Sequence, residues 1–118
     1  MKFYTNNDLS TIVETVEGNA PSGLSELIPN STEAAVEKHT PVVSVSGNTV
    51  SVNVGSVSHP MEAAHNIAWV EITTTNGVQR KYLKAGSAPV VNFILTDDEK
   101  LQEAFAYCNL HGLWKVQG

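Results

Sequence analysis

The 118-residue sequence predicts an all-β fold, a β-sandwich with a small N-terminal appendage. Three observations predict it: short alternating apolar segments recur along the main body, turn signals separate them, and no long segment has a helical period. A chain of this length forms about one domain and can bury a core without disulfides. The composition, 42% hydrophobic and 16% charged, is that of a globular protein.

Two β-hairpins are predicted in the main body. In the first, alternating valines between Val43 and Val54 flank the two-residue turn Gly47-Asn48. In the second, the turn Asn76-Gly77 is flanked by Ile67 to Thr75 and by Val78 to Leu83.

The remaining segments are shorter. A strand is predicted from Val90 to Leu95. The capping-box spacing of Thr96 to Glu99 then favours a short helical turn over Lys100 to Ala104, before a final strand from Phe105 to Cys108. The N-terminal segment Asp8 to Val16 is compatible with a short helix or with a pair of strands.

Charge divides the chain into two parts. Residues 1 to 37 carry Lys2 against six acidic side chains, a net charge of −5, whereas residues 38 to 118 balance six against six. We therefore predict a small N-terminal segment, residues 1–36, and a β-sandwich domain, residues 37–118, joined near the Pro, Gly, Asn and Ser cluster from Asn19 to Ser31. A net-acidic chain is a poor ligand for nucleic acid.

Location and redox state follow from what the sequence lacks. No apolar run approaches the ~18 residues of a membrane span, and the first residues do not have the pattern of a signal peptide. We expect a soluble, cytoplasmic protein without a membrane partner. Because Cys108 is the single cysteine, an internal disulfide and a site with several thiolates are both excluded.

The histidines and the cysteine could carry chemistry. Cys108 and His111 have C-x-x-H spacing, so one tight turn can present a thiolate and an imidazole to the same point. His59 and His65 lie six residues apart around Pro60-Met61, and His39 is close to the start of the first predicted hairpin. Thiolate and imidazole together bind transition metals, although a buried cysteine and scattered histidines can equally be ordinary core and surface residues.

Four separated segments resemble the superoxide reductases, a family also called neelaredoxins and desulfoferrodoxins. They are Glu37-Lys38-His39-Thr40-Pro41, Val54 to Met61, His65 to Val70 with Trp69, and Tyr107 to Lys115. The resemblance runs from about Glu33 to Lys115, and both the order and the spacing of the segments match.

The resemblance implies an immunoglobulin-like sandwich that holds one mononuclear iron. By position, the equatorial ligands would be His39, His59, His65 and His111, the axial ligand would be Cys108, and the sixth position would be open. It also implies that ferrous iron reduces superoxide by one electron to hydrogen peroxide, without forming dioxygen. An axial thiolate donates electron density to the metal, as it does in haem enzymes.

The resemblance implies roles for two further residues. Lys38 would attract the superoxide anion, and Glu37 would occupy the sixth position in the ferric state. The backbone N–H groups of Leu110 and His111 are expected to point at the sulfur and weaken its donation. We interpret Trp69 and Trp114 as core residues and as support for the ligands.

The sequence departs from the family in two places. Residues 1–36 contain no cysteine, so the four-cysteine iron centre of longer members cannot form, although the length suits a vestige of their rubredoxin-like module. The electron donor is then expected to be an external, rubredoxin-like protein, and homo-oligomers are common among members. Asn66 stands where the family commonly has an aromatic residue, next to His65.

Three other kinds of site were weighed against an iron centre. A copper electron carrier uses two histidines, one cysteine and a weak methionine, but no methionine follows His111. A non-catalytic zinc module prefers four ligands in a tetrahedron. For a nucleophilic cysteine, Cys108 and His111 lie in one turn without an evident orienting group.

Overall fold

A computed structural model describes residues 2–17 and 19–118. In this part of the chain there are ten strands and one short helix, α1, Val36–His39. The strands are β1 Lys2–Thr5, β2 Ile12–Thr15, β3 Ser25–Glu26, β4 Pro41–Ser46, β5 Thr49–Val54, β6 Ile67–Thr74, β7 Gly77–Tyr82, β8 Val90–Ile94, β9 Leu101–Cys108 and β10 Gly112–Gln117. No helix in these residues is long and apolar enough to cross a membrane.

The strands form three antiparallel sheets, which confirms the predicted all-β sandwich. Four strands in the order β10-β9-β6-β7 face three strands in the order β4-β5-β8, and the N-terminal sheet has the order β2-β1-β3. Alternating residues of β5 and β8 point into the sandwich, because each strand presents every second side chain to one face. They pack against β6 and β9, in a core that includes Val52, Phe93, Ile72 and Ala104.

Both hairpins are confirmed, with one change of register. Ser46 pairs with Thr49, so Gly47-Asn48 is the first turn, and Gly47 has a φ of +58°. In the second hairpin Thr74 pairs with Gly77, so the turn begins one residue earlier than predicted. The side chain of Thr74 explains the shift, because its Oγ1 accepts a hydrogen bond from the N–H of Asn76 at 3.1 Å.

The predicted helical turn at Lys100 to Ala104 is wrong. The capping contacts do form, since the N–H of Thr96 donates to Glu99 Oε1 at 3.1 Å. However, β9 begins at Leu101 and pairs with β6 on one side and β10 on the other, and these non-local pairs override the local signal. The last strand is β10, which the sequence analysis did not predict, and β8 ends one residue before Leu95.

The N-terminal segment forms strands and packs against the four-stranded sheet. Asp8 to Val16 holds one strand, β2, rather than a helix or a pair of strands, and β2 pairs with β1, which lies before that segment. The ring of Phe3 lies 5.1 Å from that of Phe105 and 6.2 Å from that of Trp69. The boundary between residues 36 and 37 remains a prediction.

Candidate metal centre

The five residues that the sequence predicts as ligands converge at one end of the sandwich. His39 ends α1, and two histidines come from the connection between β5 and β6. Cys108 ends β9, and His111 lies in the turn before β10. The β-ladder places these segments side by side, because Pro41 pairs with Val54 and Ile67 pairs with Cys108.

The four imidazoles form a closed ring. Centroids are 4.6 Å apart between His39 and His59, 4.6 Å between His59 and His65, 5.1 Å between His65 and His111, and 4.9 Å between His111 and His39. Neighbouring ring planes cross at 77° to 82°. His39 and His65 lie on opposite sides, 6.4 Å apart. Four imidazoles therefore surround one point in a roughly square arrangement.

Cys108 lies beside this ring. Donor atoms of His39, His65, Cys108 and His111 all lie within 4.8 Å of one another, and the Cys108 Sγ is 3.8 Å from His111 Nδ1. Burial raises the pKa of the thiol, whereas backbone hydrogen bonds from Leu110 and His111 lower it. That the two N–H groups point at the sulfur stays a prediction, with which the lowering effect on the pKa of Cys108 agrees. A bound metal requires the thiolate, so metal binding would release this proton.

The protonation states of His39 and His59 leave one nitrogen atom of each imidazole free to bind a cation. His39 Nδ1 and His59 Nδ1 each lie 2.7 Å from a carbonyl, of Ala35 and Pro60, and must carry a proton to donate to it. Burial lowers the pKa of both rings, that of His59 to about 4, so both are neutral at neutral pH. Their two Nε2 atoms are 3.1 Å apart and present lone pairs to each other with no proton between them. Within the described residues, the buried Nε2 of His65 also has no partner. This donor set fits a metal ion.

Comparison with known proteins assigns the chain to a family. The family model for desulfoferrodoxin matches residues 31–117. The chain belongs to the desulfoferrodoxin family.

Relatives in the family match both the main body and the whole chain. A desulfoferrodoxin homolog of Archaeoglobus fulgidus is 48% identical over 84 residues, which cover 71% of this chain and 66% of that protein. A desulfoferrodoxin of Syntrophotalea carbinolica is 39% identical over 100% of this chain and 97% of its own length. The crystal structure of the superoxide reductase from Treponema pallidum aligns with a TM-score of 0.82 at 38% identity, and covers 99% of this chain and 100% of that one.

Membership of the desulfoferrodoxin family and the ring of four imidazoles do not favour the alternative sites. A copper carrier needs two histidines and a structural zinc needs four ligands in all, whereas five donors converge here. The donor set and the family indicate a metal-binding site, and relatives named superoxide reductase support an oxidoreductase.

Trp114 connects two of the candidate ligands. Its indole stacks on the ring of His39 with centroids 4.8 Å apart, and its Nε1–H donates to the carbonyl of His111 at 3.2 Å. Trp114 is buried in β10 opposite Ala106, whose small side chain faces the same side of the sheet. The predicted supporting role fits these contacts. Trp69 instead packs beneath the N-terminal segment, stacked on Tyr107.

Gly55 positions α1, and the sequence analysis gave it no role. A Cβ atom at this position would lie 2.6 Å from the carbonyl oxygen of Glu37 and 2.9 Å from that of Thr40. The N–H of Val57 donates to the same carbonyl of Glu37 at 3.0 Å. The loop after β5 thus lies directly against α1, which brings His39 next to His59. A glycine after a strand is typical of many turns, so the sequence offered no specific signal for this contact.

Glu37 and Lys38 lie in α1 directly before His39. Glu37 is exposed and Lys38 is half-buried. Neither side chain forms a salt bridge with any residue in the part of the chain that the structure describes. Both charges are therefore unpaired among the described residues, and their roles at the site stay predictions.

Proposed function

We propose that this protein is a superoxide reductase that holds one iron ion. Its proposed ligands are His39, His59, His65, His111 and Cys108. The observation that carries the proposal is the roughly square ring of four imidazoles with one thiolate beside it. The similarity to the Treponema pallidum superoxide reductase over nearly the whole chain supports it.

In the proposed reaction, superoxide takes up one electron and two protons and becomes hydrogen peroxide. Iron, when bound, supplies the single electron. The chain keeps His39 and His59 neutral through burial, so that their Nε2 lone pairs remain free to bind a metal at neutral pH. Hydrogen bonds from the N–H groups of Leu110 and His111 lower the pKa of Cys108, and with iron bound they would limit the electron density that the sulfur donates to the metal.

Lys38 is proposed to attract the substrate anion. The whole chain has a net charge of −5, which repels superoxide at long range. A local positive charge can outweigh this near the site, because a cleft concentrates the field. Lys38 lies next to His39 and forms no salt bridge among the described residues. Glu37, which is exposed in the same helix, is proposed to close the site after peroxide has left.

The electron donor is proposed to be an external, rubredoxin-like protein. Residues 1–36 contain no cysteine, so this segment offers no thiolate for a second iron centre. We propose that residues 37–118 form the iron-binding domain and that the cytoplasm, a reducing compartment, is its location.

The test begins with anaerobic iron loading and elemental analysis. We expect about one iron per chain, and the ferrous protein should consume superoxide with one hydrogen peroxide formed per superoxide and no dioxygen. Cys108→Ser should abolish the thiolate-to-iron absorption. The control variant Asn92→Ala, on the exposed face of β8, should leave this absorption and the consumption of superoxide unchanged. Dioxygen released at half the amount of superoxide consumed would show dismutation and contradict the proposal. Stoichiometric copper would instead favour the electron carrier.

A further inference from the structure

His65 differs from His39 and His59 in how its ring is held. His39 and His59 each donate a ring hydrogen bond to a carbonyl oxygen. Within residues 2–17 and 19–118, the ring of His65 makes no hydrogen bond, and its buried Nε2 has no partner. Histidines that bind metals are usually oriented by such a second contact. Apart from its edge-on contacts with the rings of His59 and His111, His65 is therefore positioned through its backbone.

The backbone of His65 is held in a tight turn by Asn66. The N–H of Glu62 donates to the carbonyl of His65 at 2.8 Å, and the N–H of His65 donates back to the carbonyl of Glu62 at 3.1 Å. The side-chain amide of Asn66 donates to the carbonyls of Glu62 at 2.9 Å and Ala63 at 3.3 Å. An aromatic residue, which is common at this position in the family, has no amide to make these two bonds.

A second asparagine fastens this turn to the cysteine segment. The N–H of Asn66 donates to Asn109 Oδ1 at 2.9 Å, and the N–H of Asn109 donates to the carbonyl of Asn66 at 3.2 Å. Asn109 Nδ2 also donates to the carbonyl of Ala64 at 3.0 Å. Since Asn66 directly follows His65 and Asn109 directly follows Cys108, the two asparagines connect the segments of two candidate ligands.

We propose that Asn66 and Asn109 are positioning residues for the metal centre, and that their paired hydrogen bonds fix His65 relative to Cys108. This proposal rests on the proposed metal site, because these paired hydrogen bonds, here called the clamp, act through two of its ligands. Short hydrogen bonds on both sides of a ligand restrict its backbone before metal binds, so less conformational entropy is lost on binding. The clamp should therefore set both the metal affinity and the spectrum of the metal–thiolate unit.

The test compares Asn66→Ala, Asn109→Ala and the double variant with the wild-type chain and with Asn92→Ala as a matched control. Each full-length, metal-free protein is titrated with Co²⁺, and the thiolate-to-cobalt absorption is recorded. We expect the dissociation constant to rise about tenfold in each single variant, with a shifted absorption band, as is typical when outer contacts of a ligand are lost. The double variant should show less than the product of the two effects, because both asparagines hold the same turn.

Asn66→Tyr is the second variant, in case Asn109→Ala does not fold. This variant removes the two hydrogen bonds of the side-chain amide but keeps the two hydrogen bonds between the backbone of residue 66 and Asn109. We expect it to weaken Co²⁺ binding as Asn66→Ala does. Affinity and absorption that match the wild type in Asn66→Ala and Asn66→Tyr would overturn the clamp and leave the proposed function standing. A wild-type protein that binds no Co²⁺ would overturn both.

Discussion

Glu71→Gln is expected to change how the stability of the protein depends on pH. Glu71 is only 1% exposed in β6, and its Oε1 accepts a hydrogen bond from Arg80 Nε at 2.9 Å. Arg80 also donates to Glu14 Oε1 of the N-terminal segment at 2.6 Å, and its guanidinium lies 4.0 Å from the ring centroid of Trp69. Two carboxylates thus share one guanidinium at the interface between the N-terminal segment and the sandwich.

Burial, together with the nearby carboxylate of Glu14, raises the pKa of Glu71 from 4.5 to about 7, against the opposing effect of Arg80. The folded protein therefore retains a proton that the unfolded chain loses between these two values. The stability that this group contributes is complete below pH 4.5 and is lost as the pH rises through 7. At about 1.4 kcal/mol for each pH unit, the full effect is at most about 3 kcal/mol.

Solvent reduces this figure. The side chains of Arg80 and Glu14 are 28% and 23% exposed, so water screens part of the interaction. We expect an effect of about 1–2 kcal/mol. The free energy of unfolding of the wild type minus that of Glu71→Gln should fall by this amount between pH 5 and pH 8. The low pKa of His59 also makes stability fall as the pH drops from 6.5 to about 4, but this effect is common to both proteins and cancels.

The assay is urea unfolding of the metal-free proteins at several pH values, followed by tryptophan fluorescence. The matched control is Glu103→Gln, because Glu103 pairs with Lys115 at 3.0 Å with both side chains about a third exposed. This exposed pair should contribute less than about 1 kcal/mol, with no trend between pH 5 and 8. A wild-type minus Glu71→Gln difference that stays constant from pH 5 to 8 would show that Arg80 keeps Glu71 ionised and would refute the reasoning.

Four further predictions concern the metal centre. Lys38→Ala should slow superoxide capture about fivefold at low ionic strength, since one nearby charge contributes about 1 kcal/mol, and should flatten the salt dependence measured by pulse radiolysis; an unchanged rate would contradict this. Glu37→Ala should leave capture nearly intact and alter the ferric absorption spectrum, and an unaltered spectrum would exclude Glu37 as a ligand. Gly55→Ala should cost about 1–3 kcal/mol in urea unfolding, because the new methyl group meets two backbone carbonyls; wild-type stability would show that the loop can move away. Metal loading should quench the fluorescence of Trp114, which stacks on His39, more than that of Trp69, as measured in Trp69→Phe and Trp114→Phe; equal quenching would be inconsistent with that stacking.

Local signals predicted the hairpins but not the ends of the sandwich. Gly47-Asn48 forms a turn because two residues suffice to reverse the chain there. The capping signal at Thr96 to Glu99 is equally local, yet the chain beyond it extends as β9, because β6 and β10 pair with it from distant parts of the sequence. Strand β10 was missed because Trp114 was interpreted as support for the ligands rather than as part of a strand. Residues whose partners lie far along the chain are those for which the sequence pattern was least informative.

The candidate site, like the strands, depends on contacts between residues that lie far apart in the sequence. The five donor residues were predicted by their resemblance to a family, and the structure brings all five together. The resemblance also implied four equatorial imidazoles, but the residue pattern alone did not predict the ring that they form, because that ring depends on how Gly55 fits against α1 and how Trp114 stacks on His39. Asn66 was recognised as a departure from the family, but its role depends on Asn109, 43 residues away.

The N-terminal segment is held against the sandwich by packing and charge. Residues 1–36 contain no cysteine, so neither a disulfide nor a metal–thiolate bond fastens this segment. Phe3 enters the aromatic cluster of Trp69, Phe105 and Tyr107, and the network around Arg80 fastens the other edge. Tyr107 directly precedes Cys108, so the strand that carries the candidate axial ligand is covered on its outer face by this segment. We infer that the segment stabilises the position of β9, on which the metal centre depends. Because Arg80 joins the segment to the titratable Glu71, this stabilisation should depend on pH.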